Sequence, residues 1–292
     1  MHESNRLATL ALLLLMPFGL MPFGTVAFAE NIPWDRIARG AGLAKGHQDV
    51  VAEVLTTAKS YGACKGTILE CLTNAPGDKT AKRLADFVVR RAEANKSASE
   101  IIESIENRRL SAHPDEGFEP DFSGLTFSGN PKAPVKVLIY ADFQCPYCFV
   151  ASTALRKISL EPSSPIAYYF KNFPLKSHEQ SVPSALAFLA AERQGKEWAM
   201  HDLLFANRDD LSHKALVARA KELGLDVVQF EEDMKSKVLI DRLRAEKIEG
   251  MGCGVKKSPG VLINGKPYLG LKTEVELRDR IEEELDLLSS KG

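Results

Sequence analysis

Val135-Lys136-Val137-Leu138-Ile139-Tyr140, then Ala141-Asp142-Phe143-Gln144, then Cys145-Pro146-Tyr147-Cys148: this stretch decides the fold of the chain. The first six residues form a compact, mostly apolar run suited to a buried strand, and Cys148–Leu160 reads as a helix. The Cys-x-x-Cys pair falls where strand hands over to helix. A thiolate is the reactive form of cysteine, and the free N–H groups and positive end of a helix N-terminus favour that anion. Pro146 suits the first helical position, where its missing N–H has no partner in any case. The two intervening residues bring Cys148 round to form, or attack, a disulfide with Cys145. The pattern therefore makes Cys145 the exposed nucleophile and Cys148 the resolving thiol. A zinc site would need a second close ligand pair, which the neighbouring sequence lacks. A purely structural disulfide would not need the strand-to-helix position.

Outward from this stretch, Ile166–Phe173 is a second strand. A long helical segment, Ser181–Glu249, follows, punctuated by Gly195 and Gly224 and restarted at Asp226. Val261–Asn264 and Pro267–Gly270 flank Asn264-Gly265, a strong hairpin signal, and a last helix runs from Thr273 to about Leu288. The order is that of an α/β domain whose small sheet is interrupted by a helical insertion. Upstream, residues 30–111 read as a small all-α module: helices over Gly46–Tyr61 and Pro76–Asn95, then a capping box, Ser97 to Glu100, opening Ile101–Leu110. Their apolar stripes must be covered by the α/β domain, by a second protomer or by each other. Arg90, Arg91, Glu103 and Arg108 are expected on the opposite, solvent-facing side. The division is residues 1–29 as leader, 30–111 as helical module, 112–121 as linker and 122–292 as α/β domain.

The 292 residues carry 38 basic against 39 acidic side chains, so the net charge of −1 gives no electrostatic case for nucleic acid. Arg6, the apolar stretch Leu7–Phe28 and Ala27-Phe28-Ala29 have the form of a signal peptide cleaved after Ala29. An uncleaved anchor is the competing reading. Either places the folded part outside the cytoplasm, as in the periplasm, where disulfides persist. On one straight helix Cys64 and Cys71 would stand about 10.5 Å apart, too far to bridge. Gly66 permits a break between them, which favours a structural disulfide clamping a loop to the next helix over a second redox pair. Cys253, between two glycines, is the odd thiol; His47, His113, His201 and His213 are scattered and suggest no metal site.

The α/β part resembles the DsbA-like thiol:disulfide oxidoreductases of thioredoxin fold. The resemblance rests on Gly129-Asn130-Pro131-Lys132-Ala133-Pro134-Val135, Asp142–Cys148, Asn172-Phe173-Pro174-Leu175 with His178, Glu222–Asp226 and Gly254–Lys266. It implies a thioredoxin-like fold and disulfide exchange with protein substrates through Cys145 and Cys148, with an unidentified redox partner and no dissociable cofactor. It also implies that Pro259 is a cis-proline facing the dithiol and that Ser258 offers backbone hydrogen bonds to a substrate strand. Three positions depart from the pattern. Lys257-Ser258 stands where relatives often have Gly-Thr. Ile139 stands where many place a buried glutamate that accepts the resolving thiol's proton. Asp142 could substitute, but a capping or solvated role competes, and His178 reads as structural rather than basic. The expected role is support of oxidative folding, with an isomerase or reductase as the alternative and a Cu(I)-binding protein as a rival from another class. Relatives that isomerise disulfides often oligomerise through an N-terminal extension, which leaves a homo-oligomer open; a docked accessory layer is preferred.

Overall fold

The computed structural model describes residues 32–38 and 40–290; the leader, residues 1–29, lies outside them. Four helices make the N-terminal module: α1 (Lys45–Thr57), α2 (Ile68–Asn74), α3 (Lys79–Glu93) and α4 (Ala98–Ala112). Reciprocal capping boxes, Thr67 with Glu70 and Ser97 with Glu100, open α2 and α4. The apolar stripes cover each other: Val54 and Leu55 of α1, Ile68 and Leu72 of α2, Leu84 and Val88 of α3, and Ile101 and Ile105 of α4 share one core. Helix α1 stops at Thr57, short of the Tyr61 the periodicity suggests, because the chain turns extended at Ala58 and Lys59 bridges Thr67. The loop so formed brings Cys64 and Cys71 to a Cα separation of 5.7 Å, and they are joined by a disulfide.

The α/β part follows: β1 (Ser128–Gly129), β2 (Val135–Ala141), α5 (Pro146–Ser159), β3 (Ile166–Asn172), then α6 (Ser181–Arg193), α7 (Glu197–Ala206), α8 (His213–Glu222), α9 (Val227–Lys235) and α10 (Lys237–Gly252). It closes with β4 (Gly260–Ile263), β5 (Lys266–Pro267) and α11 (Glu274–Ser289). The strands lie in the order β1-β3-β2-β4-β5, with β2 parallel to β3 and antiparallel to β4. Side chains alternate along β2. Val135, Val137 and Ile139 enter the large core shared with α5, α6 and α11, whereas Leu138 and Tyr140 face a smaller cluster with Phe173, Cys253 and Leu262. The long helical segment resolves into five helices. Gly195 and Gly224, at φ +69° and +70°, take the left-handed turn that ends α6 and α8. Asn264 and Gly265, both at positive φ, make the hairpin turn. Its second strand is shorter than the Pro267–Gly270 reading, since Pro267 has no N–H and the chain leaves the sheet after Tyr268 donates to the Val261 carbonyl at 2.8 Å.

One expectation is reversed. Arg108, read as solvent-facing, is 2 % exposed: it lies over the Phe87 ring at 4.9 Å and donates to Glu276 and Asp279 of α11 at 3.1 and 3.0 Å. Arg90 joins the same carboxylates and Arg83 reaches Asp279, Glu282 and Asp286. Helical periodicity separates apolar from polar faces but cannot tell water from an acidic partner helix. The module thus closes its own core and docks on α11 through charge. Past α4, residue Phe118 donates its N–H to the Gly265 carbonyl at 2.8 Å and packs against the smaller cluster.

Candidate dithiol site

The apolar run of β2 ends at Ala141, and Asp142 organises the turn into α5. Its carboxylate accepts the N–H of Gln144 at 2.8 Å, and its carbonyl accepts the N–H of Cys145 at 3.1 Å. Phe143 anchors the turn in the core, stacked on Phe170 with centroids 5.0 Å apart. Cys145 is therefore the N-cap of α5, with Pro146 at the first helical position and Tyr147 projecting into solvent; contrary to the exposed thiol expected, Cys145 is itself only 4 % exposed, covered where Ser258 approaches it. Cys148, one turn in, is fully buried and accepts the Asp142 N–H at 3.4 Å. The Ser258–Pro259 peptide bond, between α10 and β4, is cis and faces both thiols. The Ser258 carbonyl accepts from Cys145 Sγ at 3.9 Å and the Ser258 hydroxyl lies 2.9 Å from Cys148 Sγ.

These surroundings split the two thiols. The hydrogen bond from Cys148 holds the Cys145 thiol down to about 6 against burial, helped by the N–H groups of Cys148 and Tyr147 at the helix start. Burial pushes Cys148 strongly upward, and its bond to Cys145 adds to this. The negative charge of the reduced pair belongs on Cys145.

Asp142 is neither solvated nor a simple cap. It is 2 % exposed, and one carboxylate oxygen meets the Leu175 N–H at 2.8 Å, the Ser181 hydroxyl at 2.6 Å and His178 Nδ1 at 3.0 Å. His178 thus ties the start of α6 to the turn carrying the dithiol. Ile139 is wholly buried in the apolar core, so its position supplies no proton acceptor. The polar group nearest along α5 is Ser152, one turn beyond Cys148. Its hydroxyl lies 2.6 Å from Tyr168 OH and 2.7 Å from His201 Nε2, and His201 Nδ1 lies 2.8 Å from the half-exposed Asp202. Burial lowers the His201 pKa and keeps the imidazole neutral. The sequence signal for this buried chain was the four-residue spacing of Ser152 from Cys148, unremarkable until β3 and α7 fold against it.

Lys272 is the other residue the sequence did not single out. It approaches the same site from the segment before α11, with its ammonium over the Tyr268 ring at 5.5 Å and its pKa lowered by burial. Cys253 accepts from Tyr140 OH at 3.8 Å, its thiol pushed up by burial. The Cys64–Cys71 disulfide belongs to the module's core rather than to the dithiol. Among the described residues no cluster of His, Cys, Asp and Glu could hold a metal, and no helix is long and apolar enough to cross a membrane.

A Cys-x-x-Cys pair capping the helix after a central strand, opposed by a cis-proline ahead of an antiparallel strand, defines a protein of thioredoxin fold. Residues 124–283 match the family model described as thioredoxin, and the chain belongs to that family. Solved structures of the same fold include the disulfide-exchange protein alpha-DsbA2 of Wolbachia pipientis (18 % identity, TM-score 0.51, covering 62 % of this chain and 97 % of that one). BdbD of Bacillus subtilis is similar at 21 % identity and TM-score 0.52, covering 58 % and 97 %. A thioredoxin-like oxidoreductase of Silicibacter pomeroyi is similar at 23 % and 0.51, covering 56 % and 92 %. Among curated proteins, the Na(+)/H(+) antiporter NhaA 1 of Mycobacterium sp. (strain KMS) is 33 % identical over 146 residues, 49 % of this chain. The antiporter NhaA 3 of Salinispora tropica is 34 % identical over 143 residues. The matched region is 24 % and 22 % of those two proteins, so the chain spans about a quarter of the length of the curated relatives it matches.

Proposed function

We propose that this protein is an exported thiol–disulfide oxidoreductase that oxidises protein substrates through Cys145 and Cys148. The observation that carries this reading is the unequal pair: a thiolate-favouring, helix-capping Cys145 beside Ser258–Pro259, and a buried, protonated Cys148 behind it. In the oxidised protein a substrate thiolate attacks Cys145 Sγ. The Cys145–Cys148 bond breaks, a substrate–Cys145 disulfide forms, and Cys148 takes the electron pair and then a proton. A second substrate thiolate attacks the substrate sulfur and Cys145 leaves as thiolate, so two electrons pass from substrate to protein. A stabilised Cys145 thiolate is a good leaving group and stabilises the reduced protein, which favours oxidation over reduction as the net direction. The leader-like residues 1–29 and the Cys64–Cys71 disulfide support export.

The test is mutational. Cys145→Ser should abolish exchange with a cysteine peptide, while Cys148→Ser should still attack a disulfide-bonded peptide through the Cys145 thiolate, releasing one peptide thiol and accumulating the mixed disulfide visible on non-reducing gels. Mixed disulfides that instead form through Cys148 in Cys145→Ser would overturn the assignment.

A further inference from the structure

Two grooves are lined by residues of the segments that frame the dithiol, and their charge is one-sided. The first, of about 340 Å³, contains Pro259 itself and is lined by Lys256, Lys257 and Lys272 with Val255 and Leu269. The second, of about 310 Å³, begins at Leu175, whose N–H binds the Asp142 carboxylate, and is lined by Lys176, Arg244 and Lys247 with Val182 and Ile240. Among the described residues, six cations and no carboxylate line the two grooves, in a chain whose overall net charge is −1. Within the described residues only one of these six cations meets a carboxylate. Lys176, Lys256 and Lys257 have no ion-pair partner among the described residues. Lys272 donates only to the Gly270 carbonyl at 3.1 Å, and Lys247 only to the Pro174 carbonyl at 2.6 Å. Arg244 alone has a carboxylate, the exposed Asp241, which it shares with Lys237. Elsewhere on the α/β part Arg156, Lys157, Lys171, Arg242, Lys266 and Arg278 each meet an acid, and the cations without one among the described residues, such as Lys132, Lys196 and Lys235, do not line these two grooves. Unpaired cations gathered on low-dielectric walls raise the local concentration of anions and speed their association, most strongly at low ionic strength.

We propose that the substrates are polypeptide segments in which the reacting cysteine is flanked by Asp and Glu. The acidic flanks would lie in the two grooves, and the intervening residue would pair with the backbone of Ser258. This rests on the disulfide-exchange reading and narrows it to a substrate class. The apolar lining, Val255 and Leu269 in one groove and Val182 and Ile240 in the other, leaves room for alternating acidic and aliphatic residues.

The experiment uses the oxidised mature chain and three short single-cysteine peptides, identical except for Asp/Glu, Ser/Gln or Lys/Arg at the flanking positions. Each rate is divided by that peptide's rate with an uncharged small disulfide, bis(2-hydroxyethyl) disulfide, which removes the influence of the flanks on the thiol itself. The acidic peptide should exceed the basic one by about tenfold or more in the second-order rate constant for reaction with the protein disulfide at low salt, with the gap closing as ionic strength rises past the screening range. Lys256→Glu/Lys257→Glu/Lys272→Glu should narrow or invert the ratio, and the milder Lys256→Gln/Lys257→Gln should narrow it. Equal, salt-independent rates for the three peptides would overturn the substrate class while leaving disulfide exchange standing. Failure to oxidise any of the three would instead remove the underlying reading.

Discussion

Lowering the Cys145 pKa from 9.0 to about 6 has a rate consequence that grows as the solution is acidified. At pH 7 an ordinary cysteine of that starting value is about 1 % thiolate, whereas Cys145 should be about 90 % thiolate. A more acidic thiolate is also a weaker nucleophile. With a Brønsted slope of about 0.4–0.5, three units cost roughly 15- to 30-fold. The net advantage at pH 7 is only about three- to sixfold. At pH 6 the populations are about 50 % and 0.1 %, and the advantage rises to roughly 15- to 30-fold. The assay is alkylation of the reduced protein by iodoacetamide from pH 4 to pH 10, with peptide mapping to locate the label. The rate at Cys145 should be flat above neutrality and fall tenfold per unit below about pH 6, with Cys148 unlabelled. Because the hydrogen bond from Cys148 is the largest lowering influence, Cys148→Ala should move the inflection upward. An inflection near 9 in the native protein, preferential labelling of Cys148, or no movement in the alanine variant would refute the account of the site.

Arg108→Ala should cost about 1.5–3 kcal/mol, because it removes a buried charged hydrogen-bond partner while Arg90 still meets Glu276 and Asp279; urea unfolding measures it, and a loss under about 0.5 kcal/mol would contradict the docking described. His201 is buried neutral with a depressed pKa, so the unfolded chain protonates first as pH falls below about 6.5 and stability declines there by up to about 1.4 kcal/mol per unit. His201→Gln should be less stable at pH 8 yet show a flatter slope between pH 6.5 and 5 in parallel unfolding titrations. Replacing Cys64 and Cys71 by serine should remove about 2–3 kcal/mol of stability through the short loop they close, while peptide exchange at Cys145 is retained. Loss of exchange in that folded variant would place the second cysteine pair in the chemistry.

The α/β layout was legible because its signals are local. The run from Val135 to Tyr140, the Asn264-Gly265 turn and the cysteine spacing each carry their meaning within a few residues. The placement of Cys145 at a helix N-terminus was legible for the same reason, since such a terminus is built from consecutive residues. What escaped was set by partners distant in sequence. Arg108 looks like any surface arginine until α11, 168 residues on, presents Glu276. Asp142 looks like a turn residue until Leu175, His178 and Ser181 converge on it. His201 and Ser152 carry no pattern at all, because two side chains on different helices share a hydrogen bond that no periodicity encodes. Lys272 lies in an irregular segment and acquires meaning only beside Pro259.

The sheet ends, on each side, in a strand of two residues: Ser128–Gly129 at one border and Lys266–Pro267 at the other. A long unpaired border would be a ready template for strands of other chains and would seed aggregates. Here the first border is cut short at Gly129, whose φ of +105° takes it out of strand geometry. The second carries a proline, and just past it the Leu269 N–H is already taken by the Ser111 hydroxyl of α4. The helical module thereby serves as a selvedge, finishing that border of the sheet with a hydrogen bond from its own last helix.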